Sequence, residues 1–338
     1  MDPVTQGVVG ALVAAPAAKQ KELRQAALAG AVGGMAADLD VLIRSSSDTL
    51  LYIEYHRQFT HSFAFAPLGA LLPALVLWPF LRRRQWFSKV YLWCLLGYLV
   101  HPVLDAATSY GTQLWWPFTD QRVAWNWISV IDPLYTLPAL VLLIAAVWLR
   151  RRGIAAMGLV WMVAYLGFGA YQNHRAEDLL SEWAMQQGIE RERMVAKPAF
   201  ANLVLWRGLV DDGDRFHLVA IRTLPGTKPV FYLGGSVARF VPEELPLSGR
   251  RAYDLRRFDH FSSNWLFHYP ALDTPSRQFI GDFRYALDPA DQRPLWGVLI
   301  NPNDPSERAE YTTSRSMEAA DRRRFFQRLR GEPAAVIE

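Results

Sequence analysis

The chain has 338 residues, of which 51% are hydrophobic, 13% aromatic and 20% charged, an average that resembles a soluble protein but is unevenly spread. Residues 63–81 and 154–171 carry no charge and 130–149 only Asp132, while 172–338 hold most of the charge, which excludes both a uniformly soluble globule and a purely embedded bundle. The net charge of +4 comes largely from Arg clusters in short loops and argues against a nucleic-acid partner, and the single Cys94 excludes a disulfide framework or a Cys-based zinc site within one chain.

In chain order, 3–18 and 25–43 are rich in Gly and Ala and read as one short and one close-packed helix. Asp2 stands where a cleavable signal peptide would carry a basic patch, and no processing signal follows Ala18. The run 63–81 is close to the ~20 residues that cross about 30 Å of hydrocarbon, and it stops at Arg82-Arg83-Arg84. A second span, 90–107, is apolar except for His101 and Asp105. Spans 130–149 and 154–171 are joined by the tight Arg150-Arg151-Arg152 hairpin. The expected fold is therefore an α-helical integral membrane bundle of four spans plus two short N-terminal helices.

Loops that stay in the cytoplasm keep Lys and Arg. One side collects Lys19, Lys21, Arg24, Arg82, Arg83, Arg84, Lys89, Arg150, Arg151 and Arg152, the other only Arg44, Arg57 and Arg122. This asymmetry places the Arg-rich hairpins in the cytoplasm and both chain termini outside. The loop 109–129, with Trp115, Trp116, Trp125 and Trp127, then lies at the outer interface.

Beyond 171 the character changes. Residues 175–197 read as a charged helix leaving the membrane, closed by Lys197-Pro198. Runs of β-formers follow at 199–210, 215–223, 230–233, 278–285 and 295–300, with a hairpin turn at Asp211-Asp212-Gly213-Asp214. A basic helix over 316–330 closes the chain. The division expected is a membrane domain over 1–171, a connecting helix over 172–197 and an extracytoplasmic α+β domain over 198–338.

Six ionisable residues sit where spans meet water: Asp38 and Asp40, His56 and His61, and His101 with Asp105 one helical turn on. By the expected topology all six approach one membrane surface. A His/Asp set without Cys suits a divalent metal, zinc foremost, with manganese or iron as alternatives, and is the donor set of hydrolytic rather than structural sites. The residues can serve one metal or two. His56 and His61, five apart, do not share a helical face, so His56 is expected in a loop and His61 in a first turn. Asp38 and Asp40 require local unwinding. His101 alone reads equally as a packing residue. Arg57 reads equally as a snorkelling interfacial arginine and as a clamp on an anionic group. Thr60 and Ser62 fit helix caps better than nucleophiles. His174, His217, His260 and His268 are read as ordinary residues.

These residues resemble a known family, the membrane-bound metal-dependent hydrolases, also described as LexA-binding, inner-membrane-associated hydrolases. The likeness rests on Met1-Asp2-Pro3-Val4-Thr5, Asp38-Leu39-Asp40, His56-Arg57-Gln58-Phe59-Thr60-His61-Ser62, His101-Pro102-Val103-Leu104-Asp105, Thr108-Ser109-Tyr110-Gly111-Thr112 and Trp116-Pro117-Phe118, within 1–170. Gln6, Ala37 and Gln58 depart from the family's usual His, Pro and Gly. The first departure leaves the N-terminal segment without its usual candidate ligand. The resemblance implies a metal-dependent hydrolase of the bacterial inner membrane. A LexA contact fits poorly with an exported soluble domain, whose protein partner is unknown.

The leading expectation is a hydrolase of the lipid bilayer's outer leaflet, acting on a phosphoester or ester of a lipid or other amphiphile. Asp38, Asp40, His56, His61, His101 and Asp105 would ligate the metal or support its ligands. Arg57 would hold an anionic group, and Asp38 or Asp105 could act as base. The alternative is a non-catalytic anchor whose polar cluster is structural and whose C-terminal domain binds a partner. An ion-coupled transporter ranks last, because the ionisable residues lie near span ends rather than at the midplane.

Overall fold

The computed structural model describes residues 1–242, 249–316 and 318–332, about half of them helical. Two compact units divide the chain: 1–43, 55–171 and 200–202 form the first, and 44–54, 172–199 and 203–338 the second.

The first unit begins with α1 (Pro3–Ala17), which starts where Asp2 caps it by accepting from Thr5 N at 3.0 Å and Pro3 presets the first turn. α2 (Leu23–Ala36) packs against both α1 and α6 (Phe87–Ala107) at backbone contact. A Cβ on Gly30 would lie 2.3 Å from Gly10 O, and one on Gly97 2.1 Å from Gly30 O, so these three positions must lack side chains for the helices to meet. α2 tightens into a 3-10 turn over Ala37–Leu42 that carries Asp38 and Asp40, in keeping with the unwinding expected there.

Among the described residues, two helices are long and apolar enough to cross a membrane, α6 and α8 (Arg152–Gln186). The run 63–81 is not one straight helix. It breaks into α4 (Ala66–Gly69) and α5 (Leu71–Leu81), and Ala66–Leu81 turns by 94° from Leu51–His61, which begins with α3 (Leu51–Tyr55), so the pair forms a broken span or a re-entrant loop. Pro67 and Pro73 lack the amides that would continue the ladder back through 63–66 and across the break. α7 (Pro133–Leu149) has 17 residues, because Asp132 accepts from Leu134 N and Tyr135 N and so starts the helix three residues later than the apolar run. Apolar side chains point outward along these helices, among them Leu75 and Phe80 of α5, Val141 and Trp148 of α7, and Val160 and Val163 of α8. Outward apolar faces of this kind suit lipid. α6 is the most enclosed candidate span, and it bears His101 and Asp105.

The helix expected over 175–197 is corrected in two ways. α8 runs unbroken for 35 residues, about 50 Å, from the last apolar stretch into the polar sequence. It then ends at Gln186, where Gly188 takes a φ of +68° and Ile189 N donates to Ala184 O. Residues after that glycine form β1 (Arg193–Pro198), whose backbone pairs antiparallel with β2 (Leu205–Asp211) rather than continuing a helix. β3 (Arg215–Arg222) and β4 (Val230–Ala238) complete an antiparallel sheet in the order β1-β2-β3-β4. The turn after Asp211 is the predicted one, with Gly213 at φ +99°. The last turns of α8 cover this sheet, with Leu180 and Trp183 packing on Trp206, Val219 and Ile221.

A second antiparallel sheet, β5 (Leu266–His268), β6 (Gln278–Asp282), β7 (Trp296–Ile300) and β8 (Glu310–Thr313), is joined to the first by an aromatic cluster of Phe216, Trp265, Phe267 and Phe283. α9 (Gly249–Ser262) and α10 (Ala319–Arg330) flank the sheets. α9, β5 and β8 were not anticipated in the sequence. Lys197 is buried and lies over the Tyr285 ring at 3.9 Å; burial, then the charges of Arg284 and Arg207, hold its amine well below the usual lysine range. Burial likewise brings Arg207 down to about 10.

Candidate metal centre

Four side chains from three stretches of chain converge in the first unit. His101 and Asp105, four apart on α6, face the same side; Asp38 comes from the turn after α2; His61 ends a 3-10 turn over Phe59–His61. One ligand atom of each lies within 4.8 Å of all the others. The separations are narrower than that limit. His61 Nε2 is 2.9 Å from His101 Nε2, 3.1 Å from Asp105 Oδ2 and 3.5 Å from Asp38 Oδ1. His101 Nε2 is 3.4 Å from Asp105 Oδ2 and 3.5 Å from Asp38 Oδ1. Ligands bonded at ~2.0–2.1 Å in a tetrahedron stand about 3.3–3.4 Å apart, so these spacings fit one small divalent cation.

The hydrogen bonds around the imidazoles decide which nitrogen is bare. His101 Nδ1 donates to Gly34 O at 2.5 Å, and a carbonyl can only accept. Thr60 Oγ1 donates to Asp40 Oδ2 at 2.8 Å and therefore accepts from His61 Nδ1 at 2.9 Å. Asp40 Oδ2 also lies 3.2 Å from that nitrogen. As neutral imidazoles, both rings thus spend their N–H outward and turn Nε2 lone pairs toward each other and toward two carboxylates. His61, His101 and Asp105 are fully buried, and Asp105 Oδ2 accepts no hydrogen bond. Lone pairs and carboxylate oxygens crowded in this way repel one another without a proton or cation between them. The donor set therefore fits a metal ion.

The chain's supporting contacts are equally local. Asp105 Oδ1 meets the amino group of Met1 and accepts from Gln6 Nε2 at 2.9 Å. Arg57 Nε lies 3.2 Å from Asp105 Oδ2, its Nη1 donates to Thr108 Oγ1 at 3.1 Å, and the guanidinium sits 4.7 Å from the Tyr110 ring centre. Arg57 is buried rather than snorkelling, with a φ of +64° that aims it inward, and its amide donates to Asp40 Oδ2 at 3.0 Å.

Asp40 and His56 stand beside the four. His56 Nδ1 lies 2.8 Å from Asp40 Oδ1, and with Asp38 they form a second group with ligand atoms within 4.8 Å of one another. Asp38 belongs to both groups and is partly open to solvent. All six residues singled out in the sequence are therefore brought together. The remaining four histidines are elsewhere: His217 pairs with Asp212 at 2.6 Å, His268 with Asp273 at 2.9 Å, His174 lies 3.9 Å from Asp178, and His260 sits in the last turn of α9.

Four supporting groups escaped the sequence reading. Thr60 was read as a cap, yet it orients His61. Thr108 holds Arg57, and Gln6, where the resembled family often has His, holds Asp105. The Gly34 carbonyl leaves no trace in residue type; only the glycine pattern of α2, which brings its backbone beside α6, hinted at it.

A model of the YdjM inner membrane protein family matches residues 1–176. The chain belongs to this family. Every residue of the polar cluster lies inside the matched stretch. The inner membrane protein YbcI of Escherichia coli (strain K12) is 30% identical over 146 residues, covering 39% of this chain and 81% of that protein. The protein YfhP of Bacillus subtilis (strain 168), described as uncharacterized, is 31% identical over 106 residues, covering 31% of this chain and 32% of that protein. The chain thus spans only about a third of that relative. No solved structure matches.

Proposed function

We propose that the protein is a multi-pass inner-membrane hydrolase that depends on a divalent metal, zinc before manganese or iron, and acts on a phosphoester or ester bond of a lipid or other amphiphile. The observation that supports this most directly is the meeting of two imidazole Nε2 atoms at 2.9 Å between two carboxylates. Asp38, His61, His101 and Asp105 would hold the ion, which would supply Lewis acidity toward water and a phosphoryl or carbonyl oxygen. Asp40 orients His61 and pairs with His56, a candidate base toward water at the edge of the cluster. Asp38, the most open of the carboxylates, is a second candidate base. Arg57 pairs with Asp105 and offers positive charge at the wall of the site.

The Lys/Arg asymmetry of the loops supports an orientation with the cluster and the C-terminal domain outside the cytoplasm. α1, α5 and α7 would complete the bundle around α6 and α8. The lipid-like substrate follows from that location and from the Trp-rich loop after α6.

The test is metal analysis of purified protein together with phosphodiesterase and esterase assays on lipid substrates, before and after chelation. About one equivalent of metal and chelator-sensitive turnover are expected. Full turnover by the His56→Ala, His101→Ala double variant would overturn the proposal. The complete burial of His61, His101 and Asp105 favours a second reading, a structural ion that braces the helices of an anchor. It predicts metal without turnover.

A further inference from the structure

The segment between the ligand-bearing turn and His56 belongs to the second unit. Residues 44–54 cluster with the C-terminal module, while Ile43 and Tyr55 on either side belong to the first unit. Asp40 precedes this segment by four residues and His56 follows it by two. Whatever holds 44–54 therefore limits how far the two ends of the pair Asp40–His56 can drift.

The hold is specific. Arg257 of α9, itself mostly buried, donates from Nη1 to Asp48 Oδ1 and Oδ2 at 3.0 and 3.1 Å and from Nε to Glu54 Oε2 at 3.0 Å. Its Nη2 also meets Glu54 Oε2, closing a forked contact. Asp254, one turn earlier on α9, lies 3.2 Å from Nη1 and accepts from Ala309 N at 3.3 Å, so the guanidinium is aimed from behind. Arg308 adds contacts to Ser47 O and Asp48. Thr49 Oγ1 accepts from Tyr311 N of β8 at 2.9 Å, and Leu50 and Ile53 are buried. One arginine thus grips the segment at two carboxylates six residues apart, one of them two residues from His56.

We infer that Arg257 is a positioning residue for the candidate centre: through Asp48 and Glu54 the C-terminal module holds the chain that carries His56, and so tunes metal affinity from outside the family-matched stretch. The inference rests on the metal-dependent reading above and assigns the appended module a role in it. Forked Arg–carboxylate contacts suit this role, since they fix direction as well as distance.

The test uses the full chain in detergent, with three variants: Arg257→Ala, the segment-side double variant Asp48→Asn, Glu54→Gln, and Arg277→Ala. The last breaks exposed pairs to Glu307 and Glu310 in the same module but does not touch 44–54. The first two are expected to raise deuterium uptake across 44–61, weaken zinc about tenfold in chelator competition, and alter the visible spectrum of cobalt-loaded protein. Arg277→Ala should do none of these. The double variant leaves α9 intact, so it decides the matter if Arg257→Ala fails to fold. Wild-type zinc affinity and cobalt spectrum in the double variant, despite raised uptake in 44–54, overturn the inference while leaving the metal reading standing. Absence of metal binding in the wild type overturns both.

Discussion

Asp282 in the C-terminal unit and Asp105 in the membrane unit are both fully buried carboxylates, yet their oxygens are treated differently. Asp282 accepts from Arg284 Nε at 2.9 Å, from Arg284 Nη2 at 2.8 Å and from Trp296 Nε1 at 3.1 Å. Its charge is spent on donors of the same unit, and no further partner is called for. Asp105 has donors on Oδ1, but Oδ2 faces two imidazole lone pairs and the edge of Arg57 without a hydrogen bond. Buried polarity that closes on itself is architecture. Buried polarity that gathers acceptors around one point could hold a cation, because a cation among those groups would offset their desolvation cost.

The strongest way to break that contrast is to remove a converging nitrogen. His101→Ala is expected to lower zinc affinity by at least ~100-fold, read by isothermal titration, with little loss of fold once a metal-free reference is used. Retention of wild-type affinity would put the cluster in the same class as Asp282. The complementary change, Asp282→Ala, takes the buried countercharge from Arg284, which keeps Phe261 O and Ser263 Oγ, and should cost about 3–5 kcal/mol in denaturant unfolding of the C-terminal unit, with metal binding unchanged.

Asp40→Asn sharpens the comparison within the site. It keeps the volume but weakens the partner of His61 and His56, and a loss of about 10–100-fold in metal affinity is expected by chelator competition. Gly30→Ala tests the scaffold that presents Gly34 O to His101. Its Cβ would overlap Gly10 O, so about 1–3 kcal/mol of stability in detergent should be lost, together with some metal affinity.

The smallest effect concerns Lys197. Its amine is held below the usual lysine range by burial and by Arg284 and Arg207, so the unfolded chain binds more protons between the lowered value and about 10.4. Stability of the C-terminal unit should therefore rise as pH increases through that window, and Lys197→Met should flatten the rise, as followed by thermal unfolding at several pH values.

The residues of the candidate site were legible in the sequence because buried charge is costly. His101 alone read equally as a packing residue; with Asp105 one turn on, and Asp38, Asp40, His56 and His61 at the ends of other runs, the group stood out together. Their partners were not legible. Thr60 and Gln6 are residue types with many uses, and a backbone carbonyl such as Gly34 O has no signature of its own. Helix ends were hidden in the same way: the apolar run over 130–149 masked the start that Asp132 imposes at Pro133, and Gly188 marked a stop that the charged sequence after it disguised.

Local chemistry along the chain determined which stretches avoid water, where charge interrupts them, and that the histidines and aspartates are worth their burial. Tertiary structure decided the rest: that Ala66–Leu81 turns by 94° from Leu51–His61, that Asp38 is shared between two groups, that Asp40 faces His61 and His56, and that Arg257 reaches back to Asp48 and Glu54. Hydropathy and capping depend on neighbours a few residues away, so they can be read in order. Convergence of donor atoms depends on helices meeting at glycines far apart in the chain, and no local pattern encodes the angle at which they meet.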